Sequence, residues 1–234
     1  MPALIRTLLT PGRRFGVLLT SLIVMLFLPF VLPPRVEPVL SPALFTVVLL
    51  SSLSAVANRR RHAIVGAALG LPGCVLIILA AAADTRVLHV AAAAVTLAFL
   101  AYVAILILAF VLRARKVDLG IVLGSVCVYL LAALLWGTAY GLIERLHPGS
   151  FAMPGRGAGG TMGDALQYFS FVTITTLGYG DIQPVTPLAR LVSVLEAVVG
   201  QLYLVVLVAR LVGLYTAAES ARLVEVVDTD PGEE

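Results

Sequence analysis

Long apolar runs, broken by short polar clusters, follow one another along nearly the whole chain. Runs with few or no charges cover Phe15 to Leu32, Val39 to Ala57, Ala63 to Ala83, Val87 to Leu112, Gly120 to Ile143 and Leu188 to Thr216. A bilayer core of about 30 Å takes about 20 apolar residues per helical crossing, so each run is long enough to span. The pattern predicts six transmembrane helices. Between the fifth and sixth the pattern changes. A Gly- and Pro-rich loop from His147 to Gly163 leads into a short apolar stretch, Asp164 to Thr175, and then into a turn-rich run ending at Pro187. About a dozen residues cannot cross a bilayer, so this stretch is expected to be a re-entrant helix capped by Asp164. Such a helix is tolerated at membrane depth only where protein or a water-filled cavity surrounds it.

Composition strengthens this reading. Of 234 residues, 60% are hydrophobic and only 12% charged, with a mean hydropathy of +1.05, which excludes an ordinary soluble domain. The net charge of +3 does not imply nucleic acid as a partner, because the basic residues fall in clusters between apolar runs rather than on one face. Their placement instead reads as topology. Arg6, Arg13, Arg14, Arg59, Arg60, Arg61, Arg113, Arg115, Lys116, Arg210 and Arg222 lie on one set of alternate segments. Only Arg35, Arg86, Arg145, Arg156 and Arg190 lie on the other. By the positive-inside rule both termini face the cytoplasm of a cell whose surface membrane holds the chain, and the segment between helices five and six faces out. The first run exceeds the usual signal-peptide length and lacks a small-x-small cleavage pattern, so it is kept as a helix. Cys74 and Cys127 each sit inside an apolar run and read as small buried side chains. His62, His89 and His147 show no metal-binding spacing, and Glu144 and Arg145 at the end of the fifth helix read as solvated or paired groups.

The chemistry is concentrated in Thr173-Ile174-Thr175-Thr176-Leu177-Gly178-Tyr179-Gly180-Asp181. A potassium ion leaves water only where oxygens replace its hydration shell, and backbone carbonyls aimed at one axis do this. Turning successive carbonyls the same way requires conformations that strain L-residues, so glycine is expected at alternating positions, here Gly178 and Gly180. The helix ending near Thr175 would aim its negative end at the cavity.

This string, preceded by a short helix and followed by a spanning one, resembles the potassium channel superfamily. The resemblance covers roughly Gly120 to Thr216; the four earlier helices resemble only the general six-helix channel plan. It implies K+ as the permeant ion with no organic cofactor and no enzymatic activity, bound by the carbonyls of Thr176, Leu177, Gly178 and Tyr179 and the Thr176 hydroxyl, with Gly180 closing the outer mouth. Thr175, Asp181 and Glu196 are expected to support the filter, and Tyr179 to brace it from outside the axis. A ring of carbonyls needs several strands, which the family supplies as a tetramer with the pore on the symmetry axis. The sequence departs from common family patterns in having Leu177 where valine is frequent and Val172 where some members place a glutamate that pairs with the aspartate after the filter. Tyr168 and Phe169 match bracing aromatics. Gly200 matches an inner-helix glycine read as a gating hinge, with close helix packing as the competing reading. For Glu196, a support role behind the pore helix, meeting Thr173 or Ser170, competes with ion contact. Arg210 is expected to snorkel to the interface.

The expected fold is therefore an all-α membrane protein of six transmembrane helices plus a re-entrant pore helix and extended filter, working as a homotetramer. Its parts are a cytoplasmic N-terminus at 1–14, a voltage-sensor-like four-helix part at 15–112, a linker at 113–119, a pore domain at 120–216 and an acidic tail at 217–234. A voltage sensor needs several basic residues on one crossing, since each charge gains only about 2.3 kcal/mol per 100 mV. Val87 to Leu112 has no Lys or Arg, so intrinsic voltage dependence is expected to be weak or absent. Arg113, Arg115 and Lys116 are candidates for contact with anionic lipid. A pore subunit of a potassium transporter is the alternative from another class, but such proteins carry filter-like or inverted repeats and none is visible here. A weakly selective cation channel and a scaffold with a degenerate pore also stay open.

Overall fold

The computed structural model describes residues 11–31, 45–48, 51–52, 60–154 and 161–229. Its helices are α1 (Pro11–Val31), α2 (Arg60–Ala83), α3 (Arg86–Arg113), α4 (Leu119–Leu146), the short α5 (Met162–Ile174) and the long α6 (Pro187–Thr229). The helix expected over Val39 to Ala57 lies largely outside the described residues; 45–48 and 51–52 within it are helical. Among the described residues, four segments are long and apolar enough to cross a membrane: Ile64–Ala83, Arg86–Arg113, Leu119–Leu146 and Pro187–Ala217.

The chain ends of these helices follow from local chemistry. Asp118 caps α4 by accepting from the Ile121 N–H at 2.8 Å, satisfying one of the donors a helix start leaves free. Pro187 opens α6, where its missing N–H costs nothing. Two boundaries differ from the sequence expectation. Thr161, not Asp164, is the N-cap of α5; Asp164 sits three residues on and completes a capping box with it. α6 does not stop at Thr216 but continues to Thr229, so the expected acidic tail is helical over all of its described residues.

The larger of two cores runs across the expected boundary between 15–112 and 120–216. α3 packs against both α2 and α4, and α1 also packs on α4. Phe15, Leu18 and Leu22 of α1 meet Phe99, Leu100, Val103, Ile107 and Val111 of α3 and Ile121, Cys127, Val128, Leu131 and Leu134 of α4. A second core of Tyr140, Phe151, Leu166, Phe169 and Ala189 joins α4, α5 and the start of α6. There the rings of Tyr140, Phe151 and Phe169 pack edge to face, with centroids 5.2 to 5.5 Å apart, the arrangement favoured by the aromatic quadrupole.

One element was not foreseen. Phe151–Ala152 pairs antiparallel with Gln183–Pro184, Phe151 opposite Pro184 and Ala152 opposite Gln183. Glu144 anchors it: buried rather than solvated, its carboxylate accepts the N–H groups of Gly149 at 2.8 Å and Phe151 at 3.0 Å. This two-residue ladder frames both ends of the segment that carries α5 and the strand after it.

Candidate functional site: the re-entrant loop

Residues 175–181 follow α5 as a non-helical strand of chain that turns at 175–176 and is exposed at every position in the single chain. Its backbone alternates in hand: Thr176 has φ +60°, Gly178 φ +61° and Gly180 φ +77°. Glycine adopts this region freely. A β-branched threonine does not, and such strain persists only where the surroundings impose it. What imposes it is the end of α5. The Val172 carbonyl accepts the N–H groups of Leu177 at 2.9 Å and Gly178 at 3.2 Å, and the Thr176 N–H donates to the Thr173 carbonyl at 3.0 Å. These bonds fold the strand back on the last helical turn. Thr175, the C-cap, donates its hydroxyl to the Phe171 carbonyl at 2.6 Å.

The other predicted residues fall around this strand. Leu177 and Tyr179 are 55% and 66% exposed; the chain's own helices do not cover Tyr179, which the resemblance expects to brace the filter. Gln183 donates to the Gly180 carbonyl at 3.0 Å. Asp181, with Val172 at the position of the absent glutamate, lies instead beside Tyr168. Burial first, then the Asp181 carboxylate and the neighbouring Tyr179, hold the Tyr168 phenol above its ordinary pKa.

Glu196 is fully buried behind α5, away from the strand. The Tyr140 hydroxyl donates to one carboxyl oxygen, and Ser170 Oγ lies 2.5 Å from the other. Ser170 Oγ is also 2.7 Å from the Ala133 carbonyl, which accepts from Gln167 Nε2 at 2.9 Å as well. One hydroxyl has one proton. Ser170 therefore bridges the Glu196 carboxyl and the Ala133 carbonyl, donating to one of them at a time. This network fastens α4, α5 and α6 at one point. Sequence reasoning had named Glu196 and Ser170 but missed Tyr140 and Gln167, whose polar groups inside apolar runs were the available signal.

Gly200 packs against the end of the pore helix: a Cβ there would lie 2.6 Å from Ile174 Cγ1 and 3.1 Å from the Ile174 carbonyl oxygen. That same carbonyl accepts the Tyr129 hydroxyl at 2.9 Å. Among the described residues no group of three or more His, Cys, Asp or Glu is arranged to hold a metal ion.

A family model described as "Ion channel" matches residues 128–217. No curated protein and no solved structure matches the chain. The matched segment begins within α4 and ends in α6, and so contains the strand, the helix before it and the network behind it. Residues 128–217 are an ion channel domain of a membrane-embedded chain, in a family of channels and not of enzymes, and the match supports membership of the potassium channel superfamily.

Proposed function

We propose that the chain is a subunit of a K+-selective channel, four copies of which surround one pore in the cell membrane. The observation that carries this reading is the alternation of positive φ at Thr176, Gly178 and Gly180. Alternating backbone hand turns successive carbonyls to the same side, giving a ladder of oxygens from Thr176 to Tyr179 that can replace the hydration shell of K+. The Thr176 hydroxyl adds an inner oxygen, and the side chain of Leu177 does not alter the ligand, which is its carbonyl. Asp181, Thr175 and Glu196 support this strand. The exposure of the whole strand in one chain argues for a cyclic assembly, since one ladder cannot encircle an ion. The exposed apolar faces of α6, including Leu191, Val194, Val198, Leu202 and Val205, offer the surfaces for neighbouring copies and the pore lining.

In this reading both termini are cytoplasmic and the loop before α5 faces out. Gating owes little to voltage, because between Arg86 and Arg113 α3 carries no Lys or Arg and Arg86 is engaged with the Leu146 carbonyl at 3.1 Å. Arg113, Arg115 and Lys116 are exposed at the other end of α3 and suit contact with anionic headgroups.

The test is ion flux into proteoliposomes, with K+ and Na+ compared, Ba2+ as blocker and Gly178→Ala as control. Potassium-selective, Ba2+-sensitive flux that disappears in Gly178→Ala is expected. Equal Na+ and K+ flux would replace the reading with a weakly selective cation channel, and no flux from assembled protein would remove it.

A further inference from the structure

Beyond Gly200, α6 keeps only one face against its own chain. Leu207 and Leu211 pack on the first core, and two long polar side chains on the same face reach across. Tyr203 donates to the Ser125 carbonyl of α4 at 2.7 Å. Arg210 donates to three carbonyls at the C-terminal end of α3: Val111 at 2.5 Å, Leu112 at 2.7 Å and Ala114 at 2.7 Å. A helix leaves its last carbonyls without intrahelical donors and carries negative partial charge there. The guanidinium therefore fits that end in both donor geometry and charge. Three of its five N–H donors go to these carbonyls, at the same end of α3 where Arg113, Arg115 and Lys116 are exposed. The remaining surface of this part of α6, with Val205, Val206, Val208 and Val212, is exposed.

We propose that Arg210 is a positioning residue for conduction, a clamp that ties the filter-distal half of the inner helix to the end of α3 and so holds the pore open. This inference rests on the channel reading above. The clamped carbonyls belong to a peripheral helix, while the exposed face of α6 points toward the neighbouring copies and the axis. A bond from the periphery draws that half of α6 outward and opposes its collapse onto the axis. The linker 114–118 that joins α3 to α4 is only five residues long, so the anchor is stiff: α3, α4 and the inner helix of one chain move as a unit while the clamp is closed. Release lets the inner helix swing about its contact with Ile174 at Gly200.

The experiment is single-channel recording of wild type, Arg210→Gln and Arg210→Lys in the same bilayer, with assembly checked by size-exclusion chromatography. Arg210→Gln is expected to lower open probability at least about tenfold, the population shift produced by losing even one of its charge-assisted hydrogen bonds, and to leave the K+ to Na+ permeability ratio unchanged. Arg210→Lys, which keeps the charge but can reach a single carbonyl, is expected to fall between the two. Open probability at or above the wild-type value in both variants would overturn the clamp, and if Arg210→Gln fails to assemble, an unchanged Arg210→Lys would do so alone. Wild type that conducts no K+ would instead overturn the channel reading and the clamp with it.

Discussion

The strand from Thr175 to Asp181 and the seat behind it are built in opposite ways from neighbouring residues. Every residue of the strand is exposed, and Thr176 is held in a region its side chain disfavours. Five residues upstream of Thr175, Ser170 is fully buried and shares a hydrogen-bond network with Glu196 and Tyr140, themselves fully buried. One chain completes the seat and leaves the strand unfinished. A buried polar network is stable only when all its groups are satisfied, and this one closes within a single chain. The strand's apolar side chains and its row of carbonyls need groups that the single chain does not supply, which is the physical case for further copies around an axis.

The sharpest way to break that contrast is to open the seat. Glu196→Ala would leave the Tyr140 and Ser170 hydroxyls without their carboxyl partner, at a cost of about 1–3 kcal/mol for each orphaned buried group. Loss of assembly or of K+ flux is expected, read by size-exclusion chromatography and by flux. Glu196→Gln keeps one acceptor oxygen and one donor in the same shape. It is expected to stay within about 1 kcal/mol of wild type in thermal unfolding if the carboxyl acts as a neutral partner. Damage equal to that of alanine would mean that the seat depends on a charge.

A much smaller effect is expected at the periphery, where Arg86 spans from the start of α3 to the last carbonyl of α4. The bond is exposed and joins two helices already packed along their lengths. Arg86→Gln is expected to cost no more than about 0.5 kcal/mol of stability and to leave the conductance–voltage relation unmoved. A large shift along the voltage axis would show that this arginine senses the field.

The long elements were legible because lipid imposes a length on them: α2, α3 and α4 begin and end within three residues of the expected limits. The turns of the segment after α5 were legible for a different reason, since Gly178 and Gly180 mark positive-φ backbone in the residue types themselves. Thr176 escaped because its positive φ is imposed by the Val172 and Thr173 carbonyls, a tertiary cause that leaves no trace in its identity. The partners of Arg210 escaped likewise. They are backbone carbonyls nearly a hundred positions earlier in the chain, and carbonyls carry no sequence signature. The far end of α6 runs past the expected limit at Thr216 because a helix already nucleated over thirty residues propagates through the acidic residues at little cost.

The central claim is that several chains each contribute one strand to a shared filter, and mixing wild type with Gly178→Ala tests it most directly. With both co-expressed in equal amounts and free to assemble, a four-stranded filter that one defective strand disables leaves K+ flux at about one sixteenth of the wild-type level, the chance that all four positions of a cyclic tetramer are intact. Flux that falls only in proportion to the wild-type fraction would mean that each chain conducts alone, and would contradict the account.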